Sequence, residues 1–199
     1  MTTYAIPTTV GFSSVEFGLE NNNQVFESPL SNSIQVSELT GARWYATFSL
    51  PPMSKTNALE YIGFLQRLQG RVHSFYGYDA NHRSPSGTIA GSTLLVNGAS
   101  QTGTSLTLDG AAASTLVLKA GDFFTVNSEL KMVTADATSD GSGDVTVNFV
   151  PSLRSSPSND ASITTTNPVC TMKLTGDSTS YNINNSTIYG ISFSGLEVF

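Results

Sequence analysis

The aromatic residues of this 199-residue chain are placed so unevenly that they constrain its architecture before any strand is assigned. Tyr4, Tyr45, Tyr61, Tyr76, Tyr78, Tyr181 and Tyr189 all lie outside residues 79–180, and so does Trp44. The middle holds only Phe123, Phe124 and Phe149. Aromatic side chains supply much of the buried area of a core. Two ends that share them, around a middle that is poor in them, are expected to build one domain together. The expectation is a split domain from residues 1–86 and 169–199, with residues 87–168 inserted as a second domain. Such insertion is tolerated where the two ends of a surface loop lie close together.

Patterning points to a mainly β chain. "RWYATFSL" (43–50) alternates strictly, with Trp44, Ala46, Phe48 and Leu50 on one face, as in a half-buried strand. "QVFES" (24–28) and "SIQVSEL" (33–39) read as its neighbours, and the prolines of "PPMSKTN" stop it. One helix is expected over residues 57–69. Asn57 and Glu60 fit a capping box, or Ser54 serves as the cap, and Gly70 suits the position after the end. Ala58, Tyr61, Ile62, Phe64, Leu65 and Leu68 fall on one face, with Glu60, Gln66 and Arg67 roughly opposite. "RVHSFYGYD" (71–79) returns as a strand, and "DANHRSPSGTIAG" (79–91) is a hinge. "TLLVNG", "SLTLDG", "TLVLKAGDFFTV", "ELKMVTADA" and "DVTVNFV" follow as short strands with frequent turn signals, the pattern of a small sandwich or barrel. "SDGSGD" (139–144) is a hairpin turn, residues 151–168 lead out, and "VCTMKL" and "YGISFSGLEVF" are closing strands. In the last of these, Tyr189, Ile191 and Phe193 share a face, and Gly195 is expected to mark a bulge. Trp44, Phe48, Ile62, Leu65 and Phe193 are expected to hold the helix on the sheet.

The bulk chemistry excludes several function classes. A core of this size needs no disulfide staple, and Cys170 alone cannot form an intrachain one. Only His73 and His82 could join it around zinc. A net charge of -6 with 12% charged residues is a poor match for a surface that wraps DNA by gripping phosphates, and is still compatible with one past which DNA slides. No basic leader precedes an apolar run at the start, where the first basic residue is Arg43, and no stretch approaches a membrane-spanning length.

Candidate chemistry is sparse. "LVNGASQTGTSLTLDG" (95–110) spaces Gly98 and Gly103 as in a phosphate-binding loop, but Thr104 stands in place of the lysine, and a strand follows where a helix should open. It reads as a glycine-rich hairpin turn. His73, read as a strand wall residue, and His82, in the hinge, lie near no G-x-S-x-G elbow that would complete a Ser–His–Asp triad. Asp136, Asp140 and Asp144 surround a glycine-rich turn without calcium-loop spacing and read as turn residues. Arg83 and Arg154 flank the two ends of the middle segment, placed for an interdomain or intersubunit contact or simply for solvation. No catalytic, cofactor-binding or metal-ligating residue is assigned.

Five segments in the same order resemble a family of bacteriophage tail proteins found at the distal end of the tail tube. "FESPLSNSIQVSELTGARWYATFSLPPMSKTNALEYIGFLQRLQGRV" is similar to the family's N-terminal strands, its G-A-R-W strand start and its helix ending in L-x-G-R. "LVNGASQTG", "LKAGDFFTVNSELKMV", "PSLRSSP" and "YGISFSGLEVF" resemble its later motifs. The resemblance implies a structural virion protein without enzymatic activity, a hub forming a closed ring, a homohexamer in this family. It implies a discontinuous tail-tube-like β-sandwich domain with one flanking α-helix, plus an inserted small β-barrel domain on the outside of the ring. It also implies as partners further copies of the chain, the tail tube protein, and tail tip, baseplate or receptor-binding proteins. DNA would pass through the lumen without specific binding, and no membrane insertion is implied. The protein would be made in the host cytoplasm and reside in the virion. The competing reading is a carbohydrate-binding or adhesin β-module of a phage tail, against which the aromatic-poor middle offers no stacking platform. A tail-associated hydrolase is the third, and no constellation of residues supports it.

Overall fold

A computed structural model describes residues 1–89 and 93–199. The chain is mainly β, with one helix. In order, the elements are β1 (Thr3–Tyr4), β2 (Ser14–Glu20), β3 (Asn23–Glu27), β4 (Ile34–Glu38), β5 (Arg43–Ser49), α1 (Lys55–Leu68) and β6 (Ser74–Gly77). There follow β7 (Leu95–Val96), β8 (Ser105–Asp109), β9 (Leu116–Leu118), β10 (Phe123–Val126), β11 (Glu129–Val133), β12 (Ala137–Thr138) and β13 (Val145–Val150). The chain closes with β14 (Cys170–Leu174), β15 (Tyr181–Ile183) and β16 (Tyr189–Glu197). Ala90 and Gly91, at the end of the expected hinge, lie outside the described residues.

The largest sheet runs β1-β6-β14-β16-β5-β2, with β15 also paired to β16. Its strands come from both ends of the chain. The central strand β16 joins β14 on one side and β5 on the other, both antiparallel. A second sheet runs β10-β11-β13-β8-β7, and β9 pairs with β12. Two packed clusters follow. One gathers Trp44, Phe48, Phe75, Met172, Phe193 and the inner face of α1, and the other Leu106, Leu108, Phe124, Val147 and Phe149. The first cluster also takes in Phe123 and Leu130 from the middle of the chain.

The alternation of residues 43–50 sorts faces as expected, and Trp44, Ala46, Phe48 and Leu50 are all buried. Its neighbours differ from the expectation. β5 pairs with β2 and β16, while β3 and β4 pair only with each other. Alternation fixes which side of a strand is apolar and is silent on which strand lies beside it.

Helix α1 starts two residues earlier than expected. Ser54 occupies the N-cap position without a side-chain cap bond, so neither predicted cap bond forms there. Gln69 takes the left-handed conformation at the C-cap, and Gly70 follows at φ +63. Ala58, Tyr61, Phe64, Leu65 and Leu68 are buried, whereas Ile62 is half-buried. Phe64 packs edge-on to Phe75 and Phe193, and Phe193 stacks on Phe48 at 5.1 Å. The Tyr61 hydroxyl donates toward the Val10 carbonyl, with the Pro7 carbonyl also at 3.0 Å, and accepts the Val10 N–H at 3.3 Å, tying the segment before β2 to the helix.

Two smaller expectations are corrected. His73 precedes β6 in a bend, where its Nδ1 accepts the Thr2 N–H at 3.3 Å. Gly195 sits in unbroken register opposite Ala46 and Leu174, so it marks no bulge. A Cβ there would run into the Phe75 ring. Glycine at this position is room for an aromatic side chain beneath the sheet.

Candidate functional site

The residues weighed for catalysis resolve into turn chemistry. In the 97–104 loop, Ser100, Gly98 and Gly103 all have positive φ, and the Gln101 side chain turns inward. Gln101 Nε2 donates to the carbonyls of Asn97, Gly98 and Thr107, and its Oε1 accepts the Thr107 N–H at 2.7 Å. A phosphate cradle needs converging N–H groups. This loop converges carbonyls on its own glutamine, and it links β7 to β8 as a hairpin.

His82 Nδ1 lies 2.9 Å from Asp79 Oδ2, beside a small open pocket that Ser13 and Ser14 also line. Asp79 Oδ1 also accepts the Asn81 N–H, and Ser13 Oγ is turned to the Ser49 carbonyl at 3.0 Å. Asp140 accepts the N–H groups of Ser142 and Asp144, which holds its carboxyl below the usual range. Asp144 accepts from Asn97, and Asp136 from the Ala120 N–H. Among the described residues no cluster of three metal-ligating side chains occurs.

The two arginines at the ends of the middle segment both make contacts across the chain. Arg83 lies over the Tyr78 ring at 3.8 Å and donates Nε to Asn167 Oδ1, while Asn167 N–H donates to the Arg83 carbonyl. This ties the two connecting segments together. Arg154 reaches the large sheet. Its Nη1 and Nη2 hold Glu197 Oε1 and Oε2 at 3.0 and 2.6 Å, Nη2 also donates to the Ala42 carbonyl, and the guanidinium lies over Phe199 at 4.0 Å. A planar fork suits this bidentate task where an ammonium would not.

Around this contact runs a charged seam. Glu197, 1% exposed, also accepts the Trp44 backbone N–H at 3.1 Å. Lys131 is fully buried and donates to Glu129 at 2.7 Å and to the Ser152 carbonyl at 2.8 Å. Glu129 also accepts the N–H groups of Arg154 and Ser155. Burial pushes the Glu129 carboxyl up, but the Lys131 ammonium and these N–H donors outweigh it and hold the group below its ordinary value. Burial pulls Lys131 down, against the opposing pull of Glu129. Trp44 completes the seam. It stacks on Phe17, meets Phe123 edge-on, and donates its indole N–H to the Leu130 carbonyl at 2.9 Å. Its aromatic partners come from the middle segment and β2, within the same buried cluster that takes in the inner face of α1. Beside the seam opens a groove of about 640 Å³, walled by Thr171 and Lys173 of β14, by Val198 and Phe199, and by Arg154 and Ser155.

The other unusual surface is the β3–β4 hairpin. Every residue of β3 is exposed. Val25, Phe26, Ile34 and Val36 are each more than 60% exposed, and Leu30 at the tip is 98% exposed. Register places Val25 opposite Val36 and Glu27 opposite Ile34, so these four share one face. The tip is closed by Ser28 N–H to the Ser33 carbonyl, and the root by Leu39 N–H to the Asn22 carbonyl and Asn22 Nδ2 to the Thr40 carbonyl. A lone two-stranded hairpin is marginal in water, and an apolar stripe on it is a cost unless something covers it.

Sequence reasoning passed over both features, although each left a signal. Two short strand-like runs on either side of "SPLSN" carry hairpin punctuation. In "ELKMV", Glu129 and Lys131 fall on one face of a strand, where paired opposite charges inside an apolar context suggest a buried ion pair. Neither models of protein families nor curated proteins match this chain, so its function is argued from the hairpin, the seam and the groove.

Proposed function

We propose that this chain is a structural virion protein of a phage tail: a distal hub that closes into a ring, connects the tail tube to the tip or receptor-binding apparatus, and leaves a lumen for DNA. The observation that carries the reading is the exposed hairpin. An apolar arm formed in the single chain, with no core of its own, is a surface built for another chain. Burying an exposed aliphatic side chain yields roughly 1.5–3 kcal/mol, so covering the stripe of Val25, Ile34 and Val36, with Leu30 at the tip, favours association. The free edges of β2 and β15 add backbone groups for pairing. A head-to-tail contact repeated with a fixed rotation closes into a ring.

In this reading residues 1–86 and 169–199 form the split, tube-like β-sandwich of the ring, and residues 87–168 the small barrel carried on it. The sheet face turned away from α1 carries Glu16, Tyr45, Thr47 and Ser194 across β2, β5 and β16, as the register against the buried Trp44, Ala46 and Phe48 requires. Hydroxyls with few charges suit a wall past which DNA moves without being held. Among the described residues no helix is long and apolar enough to cross a membrane.

Electron microscopy and native mass spectrometry of the purified protein, alone and with the tail tube protein, test the proposal. Closed rings are expected, and sixfold symmetry on the family resemblance. Val25→Ser with Val36→Ser should abolish them while leaving the monomer folded. A monomer that never assembles, with or without tail partners, overturns the reading, as does a ring whose lumen is strongly positive.

A further inference from the structure

We infer that the groove beside the charged seam is the receptor for the β3–β4 hairpin of a second copy of this chain, with Glu27 of one copy meeting Lys173 of the next. The inference rests on the ring reading and names the surface that the arm engages.

Charge and apolar character match on the two sides. Residues 1–42 contain Glu16, Glu20, Glu27 and Glu38 and no lysine or arginine. The hairpin's apolar face, Val25, Val36 and Ile34, thus ends in the carboxylate of Glu27, which is exposed and has no ion pair among the described residues. The groove offers the complement. Val198 and Phe199 give it an apolar wall, and its volume of about 640 Å³ has room for several branched side chains. Of its charged residues, Arg154 and Glu129 are already engaged in the seam. Lys173 is half-buried and makes no ion pair among the described residues, so its ammonium is free to meet a carboxylate.

Placement favours a contact between copies. The hairpin leaves the sheet between β2 and β5, at the β2 edge, while the groove is walled by β14, toward the β1 edge. Donor and receptor are different surfaces of one chain. Such a pair makes a heterologous contact and propagates in one direction, as a ring requires.

Charge reversal on the full chain tests this. Glu27→Lys and Lys173→Glu should each weaken self-association about tenfold or more, measured by sedimentation, because like charges then face each other. The double variant should recover to within about threefold of the wild type. Circular dichroism checks that each variant is folded. Independently, Glu27→Cys with Lys173→Cys should give a disulfide ladder of multimers on oxidation, and the native Cys170 is buried and will not compete. Losses that add in the double variant, without rescue, overturn the inference. So does assembly that Lys173→Glu leaves intact while Val25→Ser with Val36→Ser abolishes it; the ring reading would then survive and the groove would not be the receptor. If Lys173→Glu spares self-assembly and removes only tail tube binding, the groove belongs to that partner and the inference fails. A wild type that never assembles removes both.

Discussion

Replacing Arg154 by alanine isolates what the charged seam contributes. In the wild type the guanidinium makes two bonds to Glu197, one to the Ala42 carbonyl, and a face contact with Phe199. The substitution leaves Glu197, 1% exposed, with only the Trp44 N–H as partner. Breaking a buried pair on one side costs about 3–5 kcal/mol, because the remaining charge is uncompensated. Urea denaturation should show this as a lower midpoint, and the chain supplies its own probe. Trp44 is the only tryptophan and lies in the seam, 2.9 Å from the Leu130 carbonyl. Its fluorescence therefore reports separation of the middle segment from the large sheet, while circular dichroism reports the strands. The two signals should move together. Glu197→Gln alone should also destabilise, and the double variant should lose about 2 kcal/mol less than the sum of the singles. A loss below about 1 kcal/mol for Arg154→Ala, or no coupling in the cycle, would refute the claim that this fork joins the two cores.

Phe123→Ala should cost about 3–5 kcal/mol and shift Trp44 emission to the red, since Phe123 covers both Trp44 and Phe17. Gly195→Ala should cost about 1–3 kcal/mol in thermal unfolding, because the added methyl meets the Phe75 ring. Tyr61→Phe should cost about 1 kcal/mol, the worth of the hydroxyl's bonds to the Pro7–Val10 segment, and increase hydrogen exchange before β2. Glu129 is held below its ordinary value of 4.5, so the unfolded chain binds that proton more readily. Its contribution is complete above pH 4.5 and is lost as pH falls through the folded-state value; Glu129→Gln should flatten this part of the urea midpoint profile. Lys131, lowered by burial, has the same sign at the other end, with stability rising as pH climbs toward 10.5.

What could be read from the sequence was local. The facing of residues 43–50 and the buried side of α1 follow from a period of two and a period near 3.6, and both hold in the structure. The pairing partners of β5 could not be read this way. β16 meets β5 across about 145 residues of chain, and alternation, present in β2 as in β4, does not say which strand lies beside β5. Likewise Gly195 has the look of a bulge in sequence, and its reason, the Phe75 ring beneath it, comes from a strand far away. The turn chemistry of residues 97–104 was legible because the missing lysine and the following strand are both adjacent to the glycines. Glu129, Lys131 and Glu197 were harder. Each is an ordinary surface residue by type, and only the packing of two cores makes it an interior one.

The order of strands in the large sheet also orders its making. β16 is the strand that joins β5–β2 to β14–β6–β1, yet it follows all of them along the chain. Without it, the remaining pairings of this sheet fall into two separate sets of strands, and one edge of β5 lies unpaired. Glu197, which receives Arg154 and Trp44, arrives on that same strand. A ribosome that stalls early would thus release a chain without its keystone, unable to lock the seam or complete the groove wall. On the proposed ring reading, only chains that carry β16 would present a finished sheet to a neighbour.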